Sequence, residues 1–190
     1  MVTSVALYLA FLGVLYVERG AELLVSRRNA RLAFAAGGVE TGRRHFAVMV
    51  AVHALFPLAC AVEVLALHRG FPGVLGVIAL IIALAAQALR WWVAATLGWR
   101  WNTRIIVVPG AEPVTAGPYR FLRHPNYLAV MLEALCVPLI HGAWLSAIVF
   151  LCANAALLTV RIPAEEHALG EGYSRAFAGV RRLTPGGRHA

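Results

Sequence analysis

Charge is what this sequence has least of. Only 14% of its 190 residues are charged, against 61% that are hydrophobic, and the mean hydropathy is +0.73. That scarcity excludes an ordinary soluble domain, which at this length cannot hide so much apolar surface in one core. Lipid solvates it instead. Cysteine is also sparse. Cys60, Cys136 and Cys152 lie inside apolar runs with no CxxC spacing, so they read as small hydrophobes, neither disulfide partners nor metal ligands. There is no HExxH, GxSxG, P-loop or GxGxxG, which removes zincin, hydrolase-elbow and Rossmann-type nucleotide chemistry. No metal is expected. The start, Met1-Val2-Thr3-Ser4, has no positive residue ahead of its apolar run and no small-residue cleavage signal after it, so that run is expected to stay as a helix. The net charge of +8 does not point to nucleic acid, because the arginines flank apolar runs as they do beside a membrane.

What is present is a series of apolar helices in one transmembrane domain spanning 1–190. The pattern predicts an all-α, integral membrane fold with about five transmembrane helices, near 3–25, 46–67, 72–97, 127–140 and 143–160. A polar loop at 26–45 carries Arg27, Arg28, Arg31, Arg43 and Arg44. The second and third helices are expected to form an antiparallel hairpin through His68-Arg69-Gly70-Phe71-Pro72. A cytoplasmic loop at 98–126 and a tail at 161–190 are expected to come together on one face. The run 127–160 is too long for one crossing of a bilayer of about 30 Å; Pro138 and His141-Gly142 break it into a C-terminal hairpin. Arginines concentrate in the 26–45 loop, the 98–126 loop and the tail, which places those on the cytoplasmic side and the N-terminus outside.

Ionisable residues at membrane depth are costly, so Arg90, Glu133, His53 and Glu63 are each either polar contacts between helices or parts of a site. The richest constellation straddles the last hairpin: Gly117-Pro118-Tyr119 and Arg123-His124-Pro125-Asn126-Tyr127 before it, Arg161 and Glu165-Glu166 after it. A hairpin brings its ends together. Pro125 suits the first turn of a helix, whose free N–H groups, with Arg123 and His124, can receive an anion. Glu165 and Glu166 supply negative charge opposite. The competing reading is that Arg123, Glu165 and Glu166 merely close the hairpin as ion pairs.

At these residues the chain resembles the isoprenylcysteine carboxyl methyltransferase family, strongly from Leu97 to Leu169, with Gly98-Trp99 and Asn102 included. The resemblance implies a membrane enzyme that binds S-adenosyl-L-methionine near the cytoplasmic face and takes a lipophilic acceptor from the membrane lipids. It places Gly117, Tyr119, Arg123, His124, Pro125 and Tyr127 on the cofactor, with Glu165 and Glu166 closing its other side. Those two glutamates and Arg161 are the implied catalytic residues, Arg161 as the acceptor contact. The tail departs from the family pattern: Gly170 and Tyr173 match its G-x-x-Y-x-x-Y stretch, the second tyrosine gives way to Ala176 or Phe177, and Arg182-Leu183-Thr184-Pro185 ends it. The N-terminal half, from Glu18-Arg19 through Glu40 to His53, resembles a bacterial branch linked to type III polyketide synthases, which implies an inner-membrane O-methyltransferase of alkylresorcinols or alkylpyrones. A carboxylate acceptor needs no base, whereas a phenol of pKa about 10 needs one or an electropositive pocket; Glu165, Glu166 and His124 all qualify. Phospholipid N-methyltransferases and NADPH-dependent sterol-type reductases share similar C-terminal signatures and stay open, as does a membrane scaffold without catalysis.

Overall fold

The computed structural model describes residues 2–181. Five helices carry the fold: α1 (Val2–Ala35), α2 (Arg43–Ala66), α3 (Val74–Leu97), α4 (Pro125–Leu139) and α5 (Trp144–Ala176). Four of them, α1, α2, α3 and α5, are long and apolar enough to cross a membrane; α4, with 15 residues, is not. At 1.5 Å per residue α4 covers only about 22 Å, so the expected five spans are four, with α4 packed between its neighbours. α3 lies along α4, α4 along α5, and α5 against α2, which meets α1. The expected hairpin of α2 and α3 is therefore a connection and not a packed pair: each has its main face on another helix.

The burial pattern is that of a membrane protein. Leu7, Val17, Val62, Ile81 and Ile148 are 61–73% exposed, while Arg90, Glu133 and Gln87 are under 10%. Apolar side chains outside and polar ones inside fit lipid as the solvent. The chain is an integral membrane protein. Every one of its side-chain cations apart from histidine is an arginine, and every side-chain carboxylate a glutamate.

Two boundaries differ from the sequence-based expectation. α1 runs ten residues past 25, to Ala35. Ser26, Asn29, Ala30 and Ala33 are buried at helical spacing, with Arg27, Arg28 and Arg31 on the other face. Ser26 Oγ donates to Asn102 Oδ1 at 2.7 Å and Asn29 Nδ2 to the Trp101 carbonyl at 2.8 Å, which holds this extension against the loop after α3. A helix of 34 residues spans about 51 Å, so its last third stands beyond the bilayer core. α5 likewise continues through Pro163 to Ala176, so Glu165 and Glu166 sit on a helix and not in a tail.

The all-α expectation is supplemented by one small sheet. β1 (Val39–Thr41) pairs antiparallel with β2 (Ile105–Val107) in the register Val39↔Val107, Glu40↔Ile106, Thr41↔Ile105. The β-branched run Ile105-Ile106-Val107-Val108 was the available signal. Glu40 anchors this corner through Arg43 at 2.9 Å and Arg104 at 3.7 Å.

At the opposite end of the bundle Glu63 has a structural task. It accepts from the backbone N–H groups of Leu145 (3.1 Å) and Ser146 (2.7 Å) and from the Ser146 hydroxyl (2.8 Å), and pairs with Arg69 at 3.2 Å. A carboxylate from α2 thus caps the positive end of α5.

Candidate functional site

The N-terminus of α4 and the second half of α5 meet as the hairpin argument expects. Pro125 takes the first helical position, and the His124 carbonyl receives the N–H groups of Tyr127 and Leu128. The His124 ring stacks on Tyr127, centroids 5.4 Å apart, and its Nε2 lies 3.1 Å from Glu166 Oε1. Tyr127 donates its hydroxyl to Glu165 Oε2 and accepts from Arg161 Nε at 3.0 Å. Arg161 Nη2 donates to the Thr103 carbonyl at 2.5 Å. Neighbouring positions on a helix point about 100° apart, which lets the two adjacent glutamates serve different partners.

The ion-pair alternative fails for Arg123. Its Nε donates to the Val180 carbonyl at 3.0 Å and its backbone N–H to the Arg181 carbonyl at 3.2 Å, so it ties down the chain after α5. That segment reaches the site because α5 breaks at Gly170, whose φ of 73° and ψ of −168° lie where only glycine is comfortable. Beyond the break Tyr173 donates to the Arg123 carbonyl at 3.1 Å and its ring approaches His124 at 6.2 Å. Phe177, beside Ala176 at the place of the second tyrosine, is 1% exposed and packs on Tyr173, centroids 4.5 Å apart. The segment thus closes over the site as far as Arg181; Arg182-Leu183-Thr184-Pro185 lies outside the described residues.

A cavity of about 680 Å³ opens beside these groups, a size in the usual range of small-molecule sites. Tyr119, Arg123, His124, Tyr127, Arg161 and Glu165 line it. Gly117, Pro125 and Glu166 are near but not on its wall. Gly117 has φ +56, and a Cβ there would meet Thr96 Oγ1 at 2.5 Å, so it lets the 117–120 turn press against α3. Pro125 sets the helix start, and Glu166 acts on the wall through His124. Burial and the nearby Glu165 carboxylate push the Tyr119 phenol well above its ordinary value, so it stays neutral and can donate a hydrogen bond at any working pH.

Two buried polar atoms at this wall have no hydrogen-bond partner among the described residues, Arg161 Nη1 and Asn126 Oδ1. Buried orphans are costly, and a donor and an acceptor left open beside a cavity are what a zwitterionic ligand would use. The donor set suits S-adenosyl-L-methionine: the α4 N-terminus and Arg161 for a carboxylate, Glu165 for an ammonium or hydroxyls, the rings of Tyr119, His124 and Tyr173 for flat or cationic groups.

Deeper, the cavity is walled by charged residues. Arg19 Nη1 donates to Glu22 at 2.7 Å and its Nη2 to Gln87 at 2.7 Å, with Glu133 at 3.3 Å. Arg90 Nη2 donates to Glu22 at 2.6 Å and its Nε lies 3.6 Å from Glu133. Gln87 and Trp91 donate to Glu18 at 2.5 and 2.6 Å. Glu133 thus finds two donors. Glu18, Arg19 and Glu22 of α1 thus face Arg90, a role that only the i, i+4 spacing of Glu18 and Glu22 signals in the sequence.

Comparison with known proteins identifies the family. Residues 78–171 match the isoprenylcysteine carboxyl methyltransferase (ICMT) family, a stretch that holds α4, both signatures and most of α5. The chain is also 41% identical over 161 residues to an uncharacterized protein, YpbQ, of Bacillus subtilis, covering 84% of this chain and 95% of that one. It belongs to the ICMT family. An uncharacterized protein of Haemophilus influenzae is 28% identical over 148 residues, 77% of this chain and 86% of the relative. Membership in the ICMT family implies a membrane methyltransferase.

Proposed function

We propose that the chain is an S-adenosyl-L-methionine-dependent methyltransferase that transfers a methyl group to an oxygen, carboxylate or hydroxyl, of a lipophilic acceptor drawn from the surrounding lipid. The observation that carries this reading is the convergence of Tyr119, His124, Tyr127, Arg161, Glu165 and Tyr173, from three separate stretches of sequence, on one end of a cavity that leads between apolar helices. The cofactor would supply an electrophilic methyl on a sulfonium. This chain's residues would then hold and orient: Arg161 Nη1 and the α4 N-terminus take negative groups, Glu165 takes positive or hydroxyl groups, and the chain from Tyr173 to Arg181 keeps water out. In-line displacement draws much of its rate from such positioning. Catalytic roles for Glu165, Glu166 and Arg161 belong to this proposal. So do a bacterial inner-membrane location with the arginine-rich end in the cytoplasm, and a link to type III polyketide synthases whose alkylresorcinol or alkylpyrone products would be methylated.

The test is calorimetric titration of S-adenosylhomocysteine into the detergent-purified protein, beside Glu165→Ala and His124→Ala variants of unchanged melting temperature. We expect micromolar binding by the wild type and a loss of at least tenfold in each variant, about 1.4 kcal/mol. A folded wild type that ignores S-adenosylhomocysteine and binds NADPH would overturn the reading in favour of a reductase.

A further inference from the structure

His53 stands on α2 ten residues beyond Arg43, about 15 Å along the helix. Its Nδ1 lies 2.8 Å from the Met49 carbonyl, one turn back. A carbonyl oxygen only accepts, so Nδ1 carries the hydrogen and Nε2 keeps its lone pair. Among the described residues nothing bonds to Nε2, and the residue lines the same cavity as His124 and Glu165. Val130 and Asn154 line the space next to it. Those are one turn along α4 from Tyr127 and two turns along α5 from Arg161, so His53 sits roughly 5–10 Å deeper than the Tyr127–Arg161 pair.

Its surroundings narrow what it could bind. The charged groups facing it are Arg19 and Glu22 from α1, Arg90 from α3 and Glu133 from α4. They are bonded to one another, with Glu18 added. Three carboxyl groups face two guanidiniums, so this wall has no surplus positive charge with which to draw in a lipid carboxylate. It has one open acceptor.

We propose that His53 Nε2 receives the hydroxyl of the methyl acceptor, which makes the acceptor a hydroxylated amphiphile, a phenol or enol on an alkyl chain, and not a lipid carboxylate. This rests on the methyltransferase reading. The acceptor oxygen forms its bond to the methyl carbon as the S–C bond of the sulfonium breaks, with the electron pair staying on sulfur. The hydroxyl proton passes to Nε2 and from there to water. His53 is then the base that removes the need for an ionised acceptor.

The probes are 5-pentadecylresorcinol and palmitic acid, with the full-length protein in lipid nanodiscs. Binding of each is measured without cofactor, and methyl transfer with it. His53→Leu should weaken resorcinol binding at least tenfold and leave palmitate and S-adenosylhomocysteine binding unchanged. His53→Gln keeps an acceptor oxygen but takes up no proton, so it should restore resorcinol binding, lower kcat and remove the acidic limb of the pH–rate profile. Should His53→Leu not fold, the KM-against-kcat split and the pH profile of His53→Gln decide alone. Resorcinol binding unchanged in a folded His53→Leu, or a wild-type pH profile retained by His53→Gln, overturns the proposal. So does a wild type that methylates palmitate and leaves the resorcinol untouched. A wild type without S-adenosylhomocysteine affinity counts against the methyltransferase reading instead, and the cofactor-free resorcinol binding still reports on His53.

Discussion

Two polar clusters share one cavity and differ in how complete they are. Among the described residues, the charged and amide side chains around Arg19 and Arg90 answer each other: Glu18, Glu22, Gln87, Trp91 and Glu133 are bonded across α1, α3 and α4, and the open atom beside them is His53 Nε2 on α2. Around Arg161, Nη1 and Asn126 Oδ1 are left open among the described residues, and Glu165 and Tyr173 of α5 bond to Tyr127 of α4 and to the Arg123 carbonyl just before it. A completed network in a low-dielectric interior locks helices together, while an incomplete one is held open at a cost in stability that a ligand can relieve. The first cluster reads as scaffold and the second as binding site.

The sharpest way to break this contrast is Arg90→Ala. It leaves Glu22 and Glu133 buried with one cation fewer, and removing one partner of such a set costs about 3–5 kcal/mol. Thermal unfolding in detergent should show it as the largest loss of stability in this group, with S-adenosylhomocysteine affinity unchanged in whatever fraction remains folded. A loss of affinity with full stability would merge the two clusters into one functional unit. Gly170→Ala acts on the other side. The backbone there is nearly restricted to glycine, and forcing a side chain into it costs about 1–3 kcal/mol. Its effect should fall on the segment that closes the site: faster proteolysis after residue 170 and several-fold weaker binding, with the melting temperature of the membrane helices little altered. The smallest effect is expected from Tyr173→Phe. It deletes the hydroxyl that bonds the Arg123 carbonyl but keeps the ring beside His124 and Phe177, so binding should weaken by about 0.5–1.5 kcal/mol, measured by the same titration. A larger loss would mean that this hydroxyl touches the ligand.

The sequence made the membrane class and the helical hairpin at α4 and α5 legible, because apolar runs and proline breaks act locally. It also made legible that residues 117–127 and 161–166 meet. It did not show that α1 continues to Ala35 or that α5 carries Glu165 and Glu166. Arginines after an apolar run look like a loop until the buried stripe Ser26, Asn29, Ala30, Ala33 is matched to Trp101 and Asn102. Nor did it separate the roles within the signature. Arg123 resembles an anion ligand in sequence, yet its guanidinium reaches the Val180 carbonyl. Gly117 resembles a cofactor contact, yet it packs against Thr96.

What the sequence determined alone was therefore the solvent and the inventory: lipid around the helices, and a short list of polar side chains too costly to bury without a reason. Tertiary structure decided which of them complete each other and which face empty space. Glu63 became a cap for α5, Glu133 a partner of Arg19 and Arg90, and His53 a residue of the cavity wall. The physical reason is that hydropathy is a property of each residue, whereas the satisfaction of a polar atom is a property of pairs. Here such pairs lie 57 residues apart in Arg123–Val180, 114 in Arg19–Glu133 and 137 in Ser4–His141.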